Sequence, residues 1–494
     1  MERMPAGTEG DLPRVGAHIG LLVGLAATVF FAVRFGWVYG AAAGCVPLVL
    51  CLLFSGVASP YWAFAGVFVA NYFVMGLTRY VPGLPGGVVI DALLGFSLLT
   101  LLIRACYKRV DWSAARNGLT GAALVWLIYC VFELFNPRAV SAAAWAGSVR
   151  GVAIYLFVIA VLTPVLFGRY RDLKCILYVW SVLTLLAVLK AVVQKFAGFD
   201  AAEVRWLFLE GGSTTHVINS GVRYFSFFTD AANFGAGMGL SMVVFSITAL
   251  YFKRPALRLW FFGVALAAAY GMVISGTRGA LAVPFAGYTL YLFLTKSRKI
   301  MLAGVTLLLG AFVFLNYTYI GEGNQYVRRM RSAFNFNDRS FRVRLENQAK
   351  MREYMKDKPF GIGIGLGGGK AKVYAPDAYM SQIPTDSWFV MIWVETGIVG
   401  LALHVGLLLY IFGYGVWLIR TRIRDPQLRG LLSALLAGTF GIAVSSYGNE
   451  IMGQFPNGII VYMSFAFVFL GKKFDREIAE RKRLQEGGAH GFPA

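Results

Sequence analysis

Apolar runs long enough to cross a bilayer as single helices, about twenty residues allowing for tilt, recur along nearly the whole chain. Short polar connections separate them. They begin near Ala17, Trp37, Tyr61, Gly86, Leu119, Arg150, Cys175, Thr229, Leu259, Gly279, Ile300, Gly397, Gly430 and Gly458. The pattern predicts an all-α polytopic membrane protein with about 12–14 transmembrane helices, one candidate per apolar run. The first two runs are separated only by Arg34 and Gly36, which permits a tight hairpin or one long kinked helix. One interval departs from the alternation: residues 318–383 are polar and Arg-rich, a long loop expected to carry short helices. The chain therefore divides into N-terminal helices over 1–195, central helices over 196–317, the loop 318–383, C-terminal helices over 384–475 and a tail over 476–494.

Composition agrees with the pattern. Of 494 residues 58% are hydrophobic and only 14% charged, far more apolar sequence than a soluble core requires. The net charge of +21 would suggest nucleic acid in a soluble protein. Here the basic residues sit in short connections, where they set orientation and meet anionic headgroups, so no nucleic-acid partner is expected. Clusters at Arg104–Arg116, Arg169–Lys174, Lys253–Arg258, Lys296–Lys299, Arg420–Arg429 and Lys472–Arg476 fall at every second connection. Placing all six in the cytoplasm puts both termini inside and leaves three connections outside: residues 196–228, the turn Ser275–Gly279, and the long loop. The N-terminus lacks a small-residue cleavage site after its first apolar run, which is expected to be retained.

Translocated loops normally avoid Lys and Arg. The long loop nevertheless carries twelve basic residues against six acidic ones, among them Arg339, Arg342 and Arg344. Arg223 ends the first outer connection just before a helix start that Thr229 or Asp230 can cap. Arg278 lies in a turn too short to carry its side chain far from the membrane boundary. A lone arginine of this kind commonly snorkels to headgroups. A set of them on the disfavoured side suggests an anion held bidentately, such as phosphate or carboxylate, and suits a lipid-linked diphosphate.

Other chemistry is sparse. Gly363, Gly365 and Gly368 satisfy GxGxxG, but no strand or βαβ unit surrounds them. Gly361 to Gly369 instead suggest a flexible hinge whose amides face an anion. His18, His216, His404 and His490 lie far apart, and Cys45, Cys51, Cys106, Cys130 and Cys175 show no CxxC spacing. Neither a metal site nor a disulfide framework is expected. His216 lies alone in a polar outer segment, where an ordinary surface histidine is expected and a base is the alternative. The carboxylates of interest are Asp230, Asp338, Asp386, Glu395 and Glu450. Asp386 opens the run TDSWFVMIWVETG, where it can act as general base or cap the helix beginning near Ser387. Tyr224, Phe225, Phe227, Phe228, Trp388 and Tyr447 suit an interfacial belt or stacking on sugars.

From Arg223 onward the order of residues resembles the O-antigen ligase and O-antigen polymerase family, membrane glycosyltransferases acting on undecaprenyl-diphosphate-linked glycans. Arg223 with Asn233 in TDAANFGA looks like the family's Arg approach to a Pro-Asn helix, with Ala232 in the proline position. SGTRGA around Arg278 looks like its Ser-Arg-Gly turn, and Arg344 followed by Pro359 and GIGIG like its loop signature, with Gln348 where tryptophan is typical. TDSWFVMIWVETGIVG resembles its Glu-Thr-Gly helix start, but Asp386 and Ser387 stand where ligases place a histidine followed by Asn, Ser or Gln. The resemblance therefore leans toward a repeat-unit polymerase, with an O-antigen ligase acting on lipid A-core as the alternative and a glycolipid flippase more distant. It implies an inverting, metal-independent transfer without cofactor at the periplasmic face of the bacterial inner membrane. In it Arg223, Arg278, Arg339, Arg342, Arg344 and Asn233 hold the donor diphosphate and glycan, and Asp386 accepts the proton of the acceptor hydroxyl. The implied partners are the lipid-linked donor, a glycan or lipid A-core acceptor, the bilayer, and a chain-length regulator.

Overall fold

The computed structural model describes residues 59–218, 221–334 and 339–489, with isolated positions between 24 and 34. Apart from those positions, the expected spans near Ala17 and Trp37 lie outside the described residues, as do Asp338, Cys45, Cys51, His18 and His490. Among the described residues ten helices are long and apolar enough to cross a membrane, or eleven if the pair Asn457–Phe469 and Gly471–Gln485, bent by 54°, is one span. The protein is an all-α polytopic membrane protein. Regular strand among the described residues is confined to the antiparallel pairing of Val217–Ile218 with Gly221–Val222. The span expected from Gly279 is shorter than a full crossing: a 3₁₀ turn at Arg278–Leu281 leads into the 13-residue helix Ala282–Leu294. The long loop carries the helices Gln325–Arg331 and Arg339–Tyr354.

Among the described residues two compact units are present, one with residues 59–67 and 88–109, the other with residues from 68–87 and 110–489. In the first, the helix Gly86–Tyr107 exposes Leu99, Leu102 and Ile103 at helical spacing, as expected of a lipid-facing surface. In the second, the helix Ala231–Tyr251 is largely enclosed, packed against Pro255–Ile274 and Pro426–Ser445. Helices in lipid approach through small residues because apolar burial alone gives them no drive to associate. At Gly441 a Cβ would sit 2.3 Å from the carbonyl oxygen of Val283, so the helix pair Pro426–Ser445 and Ala282–Leu294 depends on a bare backbone there.

Helix ends place the site. The Ser445 hydroxyl donates to the carbonyl of Gly279 (2.8 Å), the amide of Trp388 to Ser446 (2.9 Å), and the side chain of Asn457 to the carbonyl of Asn233 (2.8 Å). The turn at Gly279 and the start of Trp388–Thr421 therefore meet the end of Pro426–Ser445, and the starts of Ala231–Tyr251 and Asn457–Phe469 meet each other. At the other end Asp475 Oδ1 accepts from the amides of Arg424 and Asp425, Glu477 accepts from the amide of Tyr170, and Tyr251 packs against Gly430. Four of the basic clusters are thus gathered at one end, a helix of 20 residues away from Arg223 and Arg278, or about 30 Å at 1.5 Å per residue.

The glycine segment is a packed joint rather than an exposed hinge. Gly361 to Gly368 are buried, and Gly397 (φ 69°, ψ −173°) breaks the helix Trp388–Thr421. Into that break the loop inserts backbone to backbone: Ile362 and Gly363 donate to the carbonyls of Val394 and Glu395 (3.1 and 3.0 Å), and Val399 to that of Pro359 (3.3 Å). The amides of Gly365 and Gly367 face the protein's own buried Glu395 carboxyl group. Tyr224, Phe225, Phe228 and Trp388 are core residues rather than an exposed belt, while Tyr447 is exposed.

Candidate functional site

The site is built around the N-terminus of the helix Ala231–Tyr251. Asp230 caps it, Oδ1 accepting from the amides of Ala232 (2.7 Å) and Asn233 (2.9 Å). The turn before it is held from below by Arg79, whose guanidinium donates to the carbonyls of Ser226, Phe228 and Thr229 while lying 4.4 Å from the rings of both Trp206 and Phe225. Buried carbonyls with no helical partner need such donors.

Arg223 reaches across this turn. Nη1 donates to the carbonyl of Thr215 (2.8 Å) and Nη2 to Thr277 Oγ1 (2.8 Å), and its buried Nε has no partner among the described residues. Burial lowers its pKa; Asp230 opposes the shift and Arg278 adds to it, so the two guanidiniums interact electrostatically. Thr277 Oγ1 also donates to the carbonyl of Ala231 (2.8 Å) and so ties the Arg278 turn to the capped helix. Thr277→Val is expected to lower transfer activity roughly tenfold through misplaced arginines, because it strands both partners of that hydroxyl. Comparing KM for the donor with kcat in the purified variant checks this.

His216 is not a surface histidine. It is buried, stacked edgewise on Trp206 and Phe225, with Nδ1 2.9 Å from the carbonyl of Gly212 and Nε2 3.0 Å from the amide of Ala231. The carbonyl requires N–H on Nδ1, and the amide requires a lone pair on Nε2, so the neutral ring is the one that fits. Burial pushes its pKa down to about 4. A depressed folded pKa means that the unfolded chain binds the proton more readily, so stability present above about pH 6.5 is lost as pH falls toward 4. The loss approaches roughly 3 kcal/mol at about 1.4 kcal/mol per unit. Thermal unfolding between pH 7 and pH 4 is expected to show this slope, and His216→Gln to flatten it.

Arg223, Asn233, Arg278 and Arg344 line one cavity of about 630 Å³ together with Asp230 and His216. Residues from all three expected outer connections meet there. Asn233 is a pin as much as a lining residue: its amide donates to Thr229 and to the carbonyl of Phe455, and its Oδ1 accepts from Asn457. Arg342 is exposed and not among the lining residues. The Arg339 side chain lies outside the described residues, although its backbone begins the helix Arg339–Tyr354. Asp386 does not line the cavity either. It is exposed at φ 50°, and the cap of the helix Trp388–Thr421 is Ser387. Its neighbour Thr385 nevertheless donates to Glu450 on the cavity wall.

Two contributors were not among the expected binding residues. Arg329, whose Nε donates to the carbonyl of Gly276, adds a fourth guanidinium. A further connection, residues 446–456, closes the wall with Asn449, Glu450 and Gln454. Glu450 pairs with Lys370 (3.0 Å). The signal available for this connection was the polar pair Asn449–Glu450 between two apolar runs, with no basic residue to mark it.

Residues 262–405 match the family described as O-antigen ligase. An O-antigen polymerase of Salmonella muenchen is similar to this chain, 23% identical over 354 residues that cover 66% of this chain and 81% of that protein. Both findings support the O-antigen ligase and polymerase family. The chain is thus a multi-pass membrane protein that is similar to an O-antigen polymerase and carries a segment matching the O-antigen ligase family. The matched segment contains Arg278, Arg329, Arg344, Asp386 and the Gly397 joint; Arg223, Asn233 and Glu450 reach the same cavity from outside it.

Proposed function

We propose that this protein is a repeat-unit polymerase that transfers a glycan from undecaprenyl diphosphate to a hydroxyl of an acceptor glycan, without a metal ion and with inversion. The observation that carries this is the convergence of Arg223, Arg278, Arg329 and Arg344 from separate segments on one cavity beside a capped helix N-terminus. Four guanidiniums suit the charge that gathers on a departing diphosphate as the anomeric C–O bond breaks. The acceptor oxygen forms the new bond from the opposite face, and its proton goes to a carboxylate. Asp386 takes that proton in this mechanism; its left-handed backbone, uncommon for a residue with a Cβ, is the kind of strain found at functional sites. Arg342 and Arg339 lie on the helix that brings Arg344, and are proposed to engage the glycan as it enters.

In the proposed orientation the cavity faces the periplasm from the inner membrane, and both termini are cytoplasmic. A chain-length regulator acts alongside. The ligase alternative is kept because the matching family is described by that activity. Deleting the gene separates the two. Single repeat units on the surface lipid support the polymerase, and long chains stranded on undecaprenyl diphosphate support the ligase.

A further inference from the structure

A second cation-lined cavity, of about 580 Å³, lies at the opposite end of the second unit, between the connection 422–426 and the helix Gly471–Ala489. Arg422, Arg424, Lys472, Arg476 and Arg483 line it. The carboxylates close by are largely committed to holding the protein together. Asp475 Oδ1 accepts from the amides of Arg424 (3.0 Å) and Asp425 (2.9 Å). Asp425 caps the helix Pro426–Ser445 through the amide of Leu428 (3.0 Å) and pairs with Lys482 (3.0 Å). Glu477, on the same helix, accepts from the amide of Tyr170 (2.8 Å) and pairs with Arg481 (2.6 Å). Glu480 is the remaining acidic residue of the lining.

The arrangement has two layers. Backbone amides and the fully buried Phe474 fix the helix against the ends of the spans, while Lys472, Lys473 and Arg476 are exposed on its other face. Trp417, near the end of the helix Trp388–Thr421, lies beneath Arg422 (5.1 Å) and Lys472 (5.0 Å). Tryptophan with basic residues at a span end is the composition of a membrane interface. The cavity also lies about one hydrocarbon thickness from the arginine cavity by the helix rise, which puts it at the other surface of the bilayer.

We propose that this cavity binds the phosphate of an anionic phospholipid headgroup. Cations held in place by a framework that has already used its own carboxylates favour a phosphate over the neutral zwitterion of phosphatidylcholine. The proposal is independent of which glycan transfer the enzyme performs.

The test uses the purified full-length protein in detergent, titrated with phosphatidylglycerol, phosphatidylcholine or inorganic phosphate, with binding read by native mass spectrometry and by thermal unfolding. The wild type is expected to prefer phosphatidylglycerol over phosphatidylcholine on the order of a hundredfold. A variant carrying Arg424→Gln, Lys472→Gln and Arg476→Gln is expected to lose that preference, roughly fivefold for each cation. Equal thermal stability of the two proteins in phosphatidylcholine shows that the variant is folded; if the triple variant unfolds, Lys472→Gln alone carries the comparison. A wild type indifferent to the two lipids overturns the proposal, as does a variant that keeps the preference. So does inorganic phosphate giving the same stabilisation at the same concentration, which would make this a site for soluble anions.

Discussion

Replacing Arg278 by alanine is expected to reduce glycan transfer about a thousandfold, the scale of losing one preorganised donor to a developing negative charge, while the protein remains folded and inserted. Arg278 lies in the turn that Thr277 locks to the helix Ala231–Tyr251, and it interacts electrostatically with Arg223 across the cavity. Its position is set by backbone geometry that the substitution leaves intact. The partly buried guanidinium acts where field strengths exceed those in water, so its removal is felt mainly in the transition state. Arg278→Lys keeps the charge but loses the planar fork, and an intermediate rate is expected. Single-turnover transfer from a lipid-diphosphate-linked repeat unit, with the purified variant, is the decisive measurement. An alanine variant with the wild-type rate would remove the diphosphate from this cavity.

The membrane class, most spans and the convergence of Arg223, Arg278 and Arg344 were legible in the sequence because each has a strong local signal. A twenty-residue apolar run is readable from composition, and these arginines are readable because they fall in the connections that alternate with the six basic clusters. Glu450 was readable only as a carboxylate among others, since its place on the cavity wall depends on the packing of Pro426–Ser445 against the Arg278 turn. His216 looked like a surface residue because its neighbours are polar; burial arises from Trp206 and Phe225, which fold over it from either side in sequence. Asp386 suits either a general base or the cap of the helix beginning near Ser387, yet a difference of one residue decides what caps that helix, and Ser387 takes the cap. Local composition finds the segments that build a site, and the register within each segment is fixed by tertiary contacts.

The glycine segment was the least legible element, and it carries the second large effect. Gly397→Ala is expected to destabilise the protein by more than about 3 kcal/mol, enough to prevent its accumulation in the membrane. Two costs add. A Cβ at φ 69° carries roughly 1–2 kcal/mol of backbone strain, and the same atom would lie 1.9 Å from the carbonyl oxygen of Pro359 and 2.5 Å from the amide nitrogen of Gly361. No side chain can swing away to relieve that overlap, because both neighbours are backbone. The loop must instead leave the helix break, and Ile362, Gly363 and Val399 lose their hydrogen bonds with it. Glu395 would then keep a buried carboxyl group without the amides of Gly365 and Gly367 that now face it. Gly369→Ala is the matched control, an exposed position where a Cβ meets nothing within 4 Å. It should change stability by less than about 0.5 kcal/mol. Folded yield and unfolding temperature of the two variants, measured side by side, separate a structural joint from a hinge: in a hinge the two alanines would behave alike, and in a joint only Gly397→Ala fails.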